Sequence, residues 1–145
     1  MKEKRNMHLR VQEMCDCYAT TDPLAEMERM RNETGDVEES AVKWLALAVL
    51  HGINSGLEEI SISLNEAGRV RVKAEHPESE LPAPSEKIAD TIMDVVREIT
   101  HIEEDKGLMP LSIGIRDSSV DLVVKVKSEG ERDKVKLKFG KAHRH

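Results

Sequence analysis

Cys15-Asp-Cys17 and His8 are the side chains best suited to chemistry in this 145-residue chain. Two thiolates and an imidazole can hold a soft ion such as zinc. Cys15, Cys17 and His8 are therefore candidate metal ligands, with Asp16 or a second subunit completing the set. The spacing is shorter than the usual Cys-x2–4-Cys. A disulfide between residues this close would be strained, and a redox role would need an electropositive pocket around Cys15. Glu103-Glu104-Asp105 can hold a hard cation, although such runs are usually solvated loop. No serine or cysteine is matched by spacing to a histidine and an acid. His51 and His101 fall near expected helix ends, where capping, packing or dipole compensation accounts for them. These observations point away from an enzyme, and no cofactor is expected.

A second constellation is electrostatic. Gly68-Arg-Val-Arg-Val-Lys73 and Lys134-Val-Lys-Leu-Lys-Phe139 each alternate positive side chains with small or apolar ones. Successive residues of a strand point to opposite faces. Arg69, Arg71 and Lys73 then share one face, as do Lys134, Lys136 and Lys138, and Lys125 and Lys127 join them. The whole chain is nevertheless acidic, at −6. Residues 110–145 carry 9 Lys/Arg against 5 Asp/Glu, while residues 59–109 carry 6 against 12. Local charge thus matters more than the total. On neighbouring strands these eight groups would repel one another, and something negative should offset them: a partner chain, a phosphate-bearing ligand or the chain's own acidic segments. The alternative is that exposed lysines keep the sheet soluble and discourage edge pairing.

The elements that must position these residues follow from periodicity. Residues 1–35 lack sustained periodicity and form an N-terminal appendage with one short helix from Pro23, capped by Asp22. Asp36 caps a long helix whose apolar stripe includes Ala41, Trp44, Leu45, Ala48, Val49 and Gly52, with Gly56 as its stop. Glu59–Leu64 alternates as a strand and hairpins through Asn65-Glu-Ala-Gly68 into Gly68–Lys73. The proline-rich stretch 76–84 is a loop. Ser85 caps a second long helix with Ile88, Ile92, Val95, Val96, Ile99 and Ile102 inward. An acidic turn leads to strands over Leu111–Ile115, Val120–Lys127 and Lys134–Phe139, and residues 141–145 are a disordered tail. The order helix-strand-strand-helix-strand-strand-strand predicts an α+β two-layer sandwich, with two long helices on one face of a mostly antiparallel sheet and the other face wet.

This layout resembles the second N-terminal domain of type II secretion and type IV pilus assembly ATPases over residues 36–140. The resemblance is carried by Gly56, Glu59-Ile-Ser-Ile62, Arg69-Val-Arg-Val-Lys73, Ser119-Val-Asp-Leu-Val-Val124, Glu129-Gly-Glu131 and Lys134-Val-Lys-Leu-Lys138. The family's Asp-Ile-His-Ile is Glu59-Ile-Ser-Ile62 here, its Arg-Ile-Asp-Gly is Lys73-Ala-Glu-His76, and its Pro-Gln-Asp-Gly is absent. In that family basic residues of the domain approach nucleotide phosphates, which by motif position implies Arg71 and Lys73. The chain holds no Gly-x-x-x-x-Gly-Lys-Ser/Thr loop, so the resemblance implies a free-standing module without the ATPase core.

The expectation is a non-catalytic protein-interaction or assembly module, with a protein partner or a homo-oligomer engaged through the basic face. Nucleic-acid or nucleotide-phosphate binding by that face is the alternative. Tyr18, Trp44 and Phe139 are the only aromatics, which leaves almost no stacking platform for bases. No apolar run is long enough for membrane insertion, and Met1–Arg5 leads into no signal segment. Cytoplasmic residence is the expectation.

Overall fold

Asp36 starts the longest helix. Its Oδ1 accepts from the Glu39 N–H at 3.0 Å, and Glu38 and Glu39 occupy the first turn, where the dipole favours acid. Asp22 caps the short helix from Pro23 in the same way, and Ser85 caps the one from Glu86. The computed structural model of the chain describes residues 6–32, 35–75, 78–115, 118–130 and 132–140. The expected tail 141–145, and His76 and Glu131 of the family-like motifs, lie outside the described residues. The order is α1 Met7–Tyr18, α2 Pro23–Arg29, a 3-10 turn Met30–Asn32, α3 Val37–Asn54, β1 Glu59–Leu64, β2 Val70–Glu75, β3 Ser79–Glu80, α4 Glu86–Thr100, β4 Lys106–Ile115, β5 Ser118–Glu129 and β6 Arg132–Phe139.

The fold is α+β with an antiparallel sheet, but its inventory differs from the expected one. The described residues hold four helices and six strands. The added helix, α1, starts on Asn6, whose Oδ1 accepts from the His8 and Leu9 N–H groups. It buries only Met7, Val11 and Cys15, one residue per turn. So narrow a stripe does not stand out as periodicity. The added strand, β3, is a two-residue edge within the proline-rich stretch.

The sheet runs β3-β2-β1-β6-β5-β4. Ile60, Ile62, Val72, Ala74, Leu122, Val124, Val135 and Leu137 face inward and are buried. α3 and α4 pack on that face, while α1 packs on β4 and α3. α2 lies against α3, so the helical side is more than one layer deep there. Every residue of α3 from Ser40 to Leu50 is buried except Lys43. Lys43 joins three helices: its Nζ is 3.5 Å from Glu26 and 4.6 Å from the centre of the Tyr18 ring. Burial works against the Lys43 charge, but Tyr18 and Glu26 outweigh it and hold its pKa above the ordinary value. Residues 6–32 are therefore packed onto the domain.

α1 also covers a sheet edge. His8 Nε2 donates to the Ser112 carbonyl at 2.6 Å, and the Gly114 N–H donates to Gln12 Oε1 at 2.7 Å. These contacts occupy backbone groups of edge strand β4 that would otherwise invite another strand. Pro110, which has no N–H to offer, sits further along the same edge.

Arg97 fastens α4 to the far end of the sheet. Its guanidinium donates to the carbonyls of Ile102 (3.2 Å) and Glu104 (2.8 Å) and to Ser128 Oγ (2.8 Å), and Ser128 Oγ donates to Asp133 Oδ1 at 2.6 Å. Hydrogen bonds to a charged donor contribute about 1.5–3 kcal/mol each and do not add simply. Arg97→Ala is expected to lower unfolding free energy by about 2–3 kcal/mol in chemical denaturation. Arg97→Lys should recover less than half of that, because an ammonium cannot span the three acceptors.

Candidate functional site

The sheet order explains why two distant basic segments meet. β1 lies between β2 and β6, and β5 follows β6. In one row across the open face, Lys73 stands opposite Ser61, Ser61 opposite Lys136, Lys136 opposite Lys125, and Lys125 opposite Leu108. In the next row Arg71, Ser63, Lys134, Lys127 and Lys106 follow in the same way. The buried residues on either side of them along β2 and β6, Val72, Ala74, Val135 and Leu137, fix these cations to the side away from the helices.

Three cross-strand pairs in these rows join lysine to lysine: Lys125 with Lys136, Lys127 with Lys134, and Lys106 with Lys127. Like charges directly opposite are destabilising. Compensation is partial and uneven. Arg71 pairs with Glu80 at 3.3 Å, Lys136 with Glu59 at 3.9 Å, and Lys106 and Lys127 both with Glu129, at 3.9 and 3.7 Å. Glu75 and Glu59 stand opposite one another at the β1–β2 corner. Among the described residues, Lys73, Lys125, Lys134 and Lys138 make no ion pair. The least compensated charge therefore lies on β5 and β6. Beside it Leu108 is 57% exposed, next to Pro110 and Val123.

Of the six basic residues singled out in the sequence, Arg71, Lys73, Lys134, Lys136 and Lys138 share the face. Arg69 falls in the hairpin before β2, where its N–H donates to Asn65 Oδ1, outside the paired register. Lys106 was not among the sequence candidates, because β4 begins five residues earlier than the expected strand. The signal was the alternation from Lys106 through Leu108 and Pro110, obscured by Gly107 and the proline.

The structure does not bring the candidate metal ligands together. Cys15 is buried with its thiol directed at the Ala46 carbonyl, Cys17 is exposed, and His8 is committed to Ser112. Neighbours two apart on a helix diverge by about 200°, which separates the two thiols. No group of three His, Cys, Asp or Glu side chains arranged to hold a metal occurs among the described residues, the acidic turn 103–105 included. Burial, and next to it Asp16, pushes the Cys15 thiol up to about 12. A thiolate at neutral pH is thus disfavoured. Native protein should expose one of its two thiols to a chromogenic disulfide reagent, namely Cys17, with Cys15 reacting only after denaturant is added; Cys17→Ser should then show no native reaction.

The three aromatics are all committed elsewhere. Trp44 is buried in α3, Tyr18 lies under Lys43, and the Phe139 ring packs on Gly52. A cavity of about 20 Å³, lined by Val11, Leu45, Val49, Thr100 and apolar strand residues, has room for about one water. It is far below the size of a ligand pocket. His51 is held below its ordinary pKa by burial, with Asp22 opposing, and its Nδ1 lies 3.5 Å from Ser55 Oγ at the end of α3. No described helix is long and apolar enough to cross a membrane. No known protein-family model matches the chain, and no curated protein sequence matches it significantly.

Proposed function

We propose that this protein is a non-catalytic interaction module whose open sheet face docks an acidic surface of a protein partner. One observation carries the reading: three lysine–lysine pairs stand in register on a solvent-facing sheet. A surface selected only for solubility gains nothing from placing like charges directly opposite. An acidic partner turns that repulsion into attraction, and the apolar Leu108 edge supplies contact area beside it. An assembly role of the kind found in the second N-terminal domain of secretion ATPases fits the same face. The phosphate contact implied there for Arg71 and Lys73 is the weaker part, since Glu80 pairs with Arg71 and stands opposite Lys73.

Nucleic-acid binding draws on the same lysines, but the face offers no aromatic for stacking. Fluorescence anisotropy separates the two. Labelled poly-glutamate should bind at ~50 mM salt and release by ~500 mM, as the Debye length shrinks several-fold. Labelled single- and double-stranded nucleic acid should bind more weakly at every salt. Tighter binding of nucleic acid would select the alternative, and absence of poly-glutamate binding at low salt would remove the proposal.

A further inference from the structure

The molecule carries a second unrelieved charge pattern on its opposite side. Asp90, Asp94 and Glu98 recur every fourth residue of α4 and are exposed. None of them makes an ion pair among the described residues. Like charges four apart on a helix repel one another. Of the two cations on the helix, Arg97 is engaged by carbonyls and Ser128, and Lys87, one turn before Asp90, makes no ion pair among the described residues. Burial, then Asp90 and Asp133, hold the Asp94 carboxyl above its ordinary range although Arg97 opposes them.

The two patterns match in pitch. Carboxylates four residues apart on a helix are separated by ~6.0 Å along its axis, and lysines two apart on a strand by ~6.8 Å. A helix laid along β5 and β6 can set one carboxylate over each of three rows: Lys127 with Lys134, Lys125 with Lys136, and Lys138. The helices cover one side of the sheet and the lysines lie on the other, so one copy can use both surfaces at once.

We propose that the lysine rows of β5 and β6 take the Asp90–Asp94–Glu98 stripe of a second copy, so that copies stack sheet to helix. The inference rests on the reading of the sheet face as an acid-binding surface and names its occupant. Such an interface is heterologous and extends head to tail. It is also electrostatic, and salt weakens it.

Sedimentation velocity over a concentration series tests it. Wild type should associate progressively at ~50 mM salt and return to monomer at ~500 mM. Lys125→Glu/Lys134→Glu lacks the basic face and Asp90→Lys/Asp94→Lys lacks the stripe, so each alone should be monomeric. Mixed in equal amounts, they should associate again, because the intact stripe of one meets the intact lysine rows of the other and the reversed face meets the reversed stripe. Circular dichroism identifies any variant that fails to fold. Wild type that stays monomeric at low salt yet binds poly-glutamate would overturn the self-pairing and leave the proposed function standing. Wild type that neither associates nor binds poly-glutamate would overturn both. Association that both variants retain unchanged would overturn the assigned surfaces.

Discussion

Lys125→Glu/Lys134→Glu is expected to raise the stability of the fold while removing its affinity for an acidic partner. Each substitution converts one lysine–lysine pair into a glutamate–lysine pair, the first opposite Lys136 and the second opposite Lys127. Cross-strand charge pairs contribute roughly 0.2–1 kcal/mol, with the sign set by the charges. Two reversals should therefore add about 1 kcal/mol to unfolding free energy. Binding moves the opposite way. Exposed attractive contacts of about 0.2–1 kcal/mol become repulsive at two positions, so poly-glutamate affinity at low salt should fall about tenfold or more. Lys87→Glu, on exposed α4, serves as the control for added negative charge and should leave binding within about twofold, a difference of roughly 0.4 kcal/mol. Opposed changes in stability and binding are the signature of a surface kept for function at some cost to the fold. A variant that loses both together would reveal a structural role instead.

Gly52→Ala carries the largest expected destabilisation for so small a change. Gly52 is buried in α3, and a Cβ there would lie 2.2 Å from Phe139 Cζ and 2.4 Å from Cε2. Alanine is normally worth about 1 kcal/mol over glycine in a helix interior. Here the methyl meets a rigid ring, and overpacking costs typically 1–3 kcal/mol, occasionally more. With the helix gain subtracted, a net loss of about 1–2 kcal/mol is expected in thermal or chemical unfolding. Phe139 belongs to β6, the strand that carries Lys134, Lys136 and Lys138. A displaced ring therefore disturbs the candidate face from beneath. In Phe139→Ala the space opens, and adding Gly52→Ala to it should be neutral or stabilising. The double-mutant cycle should give a coupling of about 2 kcal/mol; additive losses would show that Phe139 does not confine Gly52.

Local signals made much of this legible in the sequence. Asp22, Asp36 and Ser85 cap the helices for which their side chains qualify them, and the alternation in β1, β2 and β6 put the apolar half of each strand inward. What stayed hidden depended on tertiary partners. α1 buries one residue per turn and is held by hydrogen bonds to a strand more than a hundred residues away. β4 tolerates Gly107 and Pro110 because it is an edge strand, and a proline there interrupts no ladder. Lys106 was missed with it. Alternation brought the basic residues of each strand to one face, yet only the register set Lys125 against Lys136 and Lys127 against Lys134. The same register set Glu80 opposite Lys73, within reach of Arg71, with which it pairs. Cys15, His8 and Cys17 looked like a ligand set as letters, and helix geometry dispersed them.

The most direct measurement is lysine footprinting of the wild-type protein with an acylating reagent, at a protein concentration low enough to keep it monomeric, with and without saturating poly-glutamate at low salt. If the open face is the docking surface, Lys125, Lys134, Lys136 and Lys138 lose reactivity together on adding the peptide, while Lys87 on the helical side keeps its own. Unchanged reactivity at those four positions in a complex shown to form by anisotropy, or equal protection at Lys87, would contradict the account.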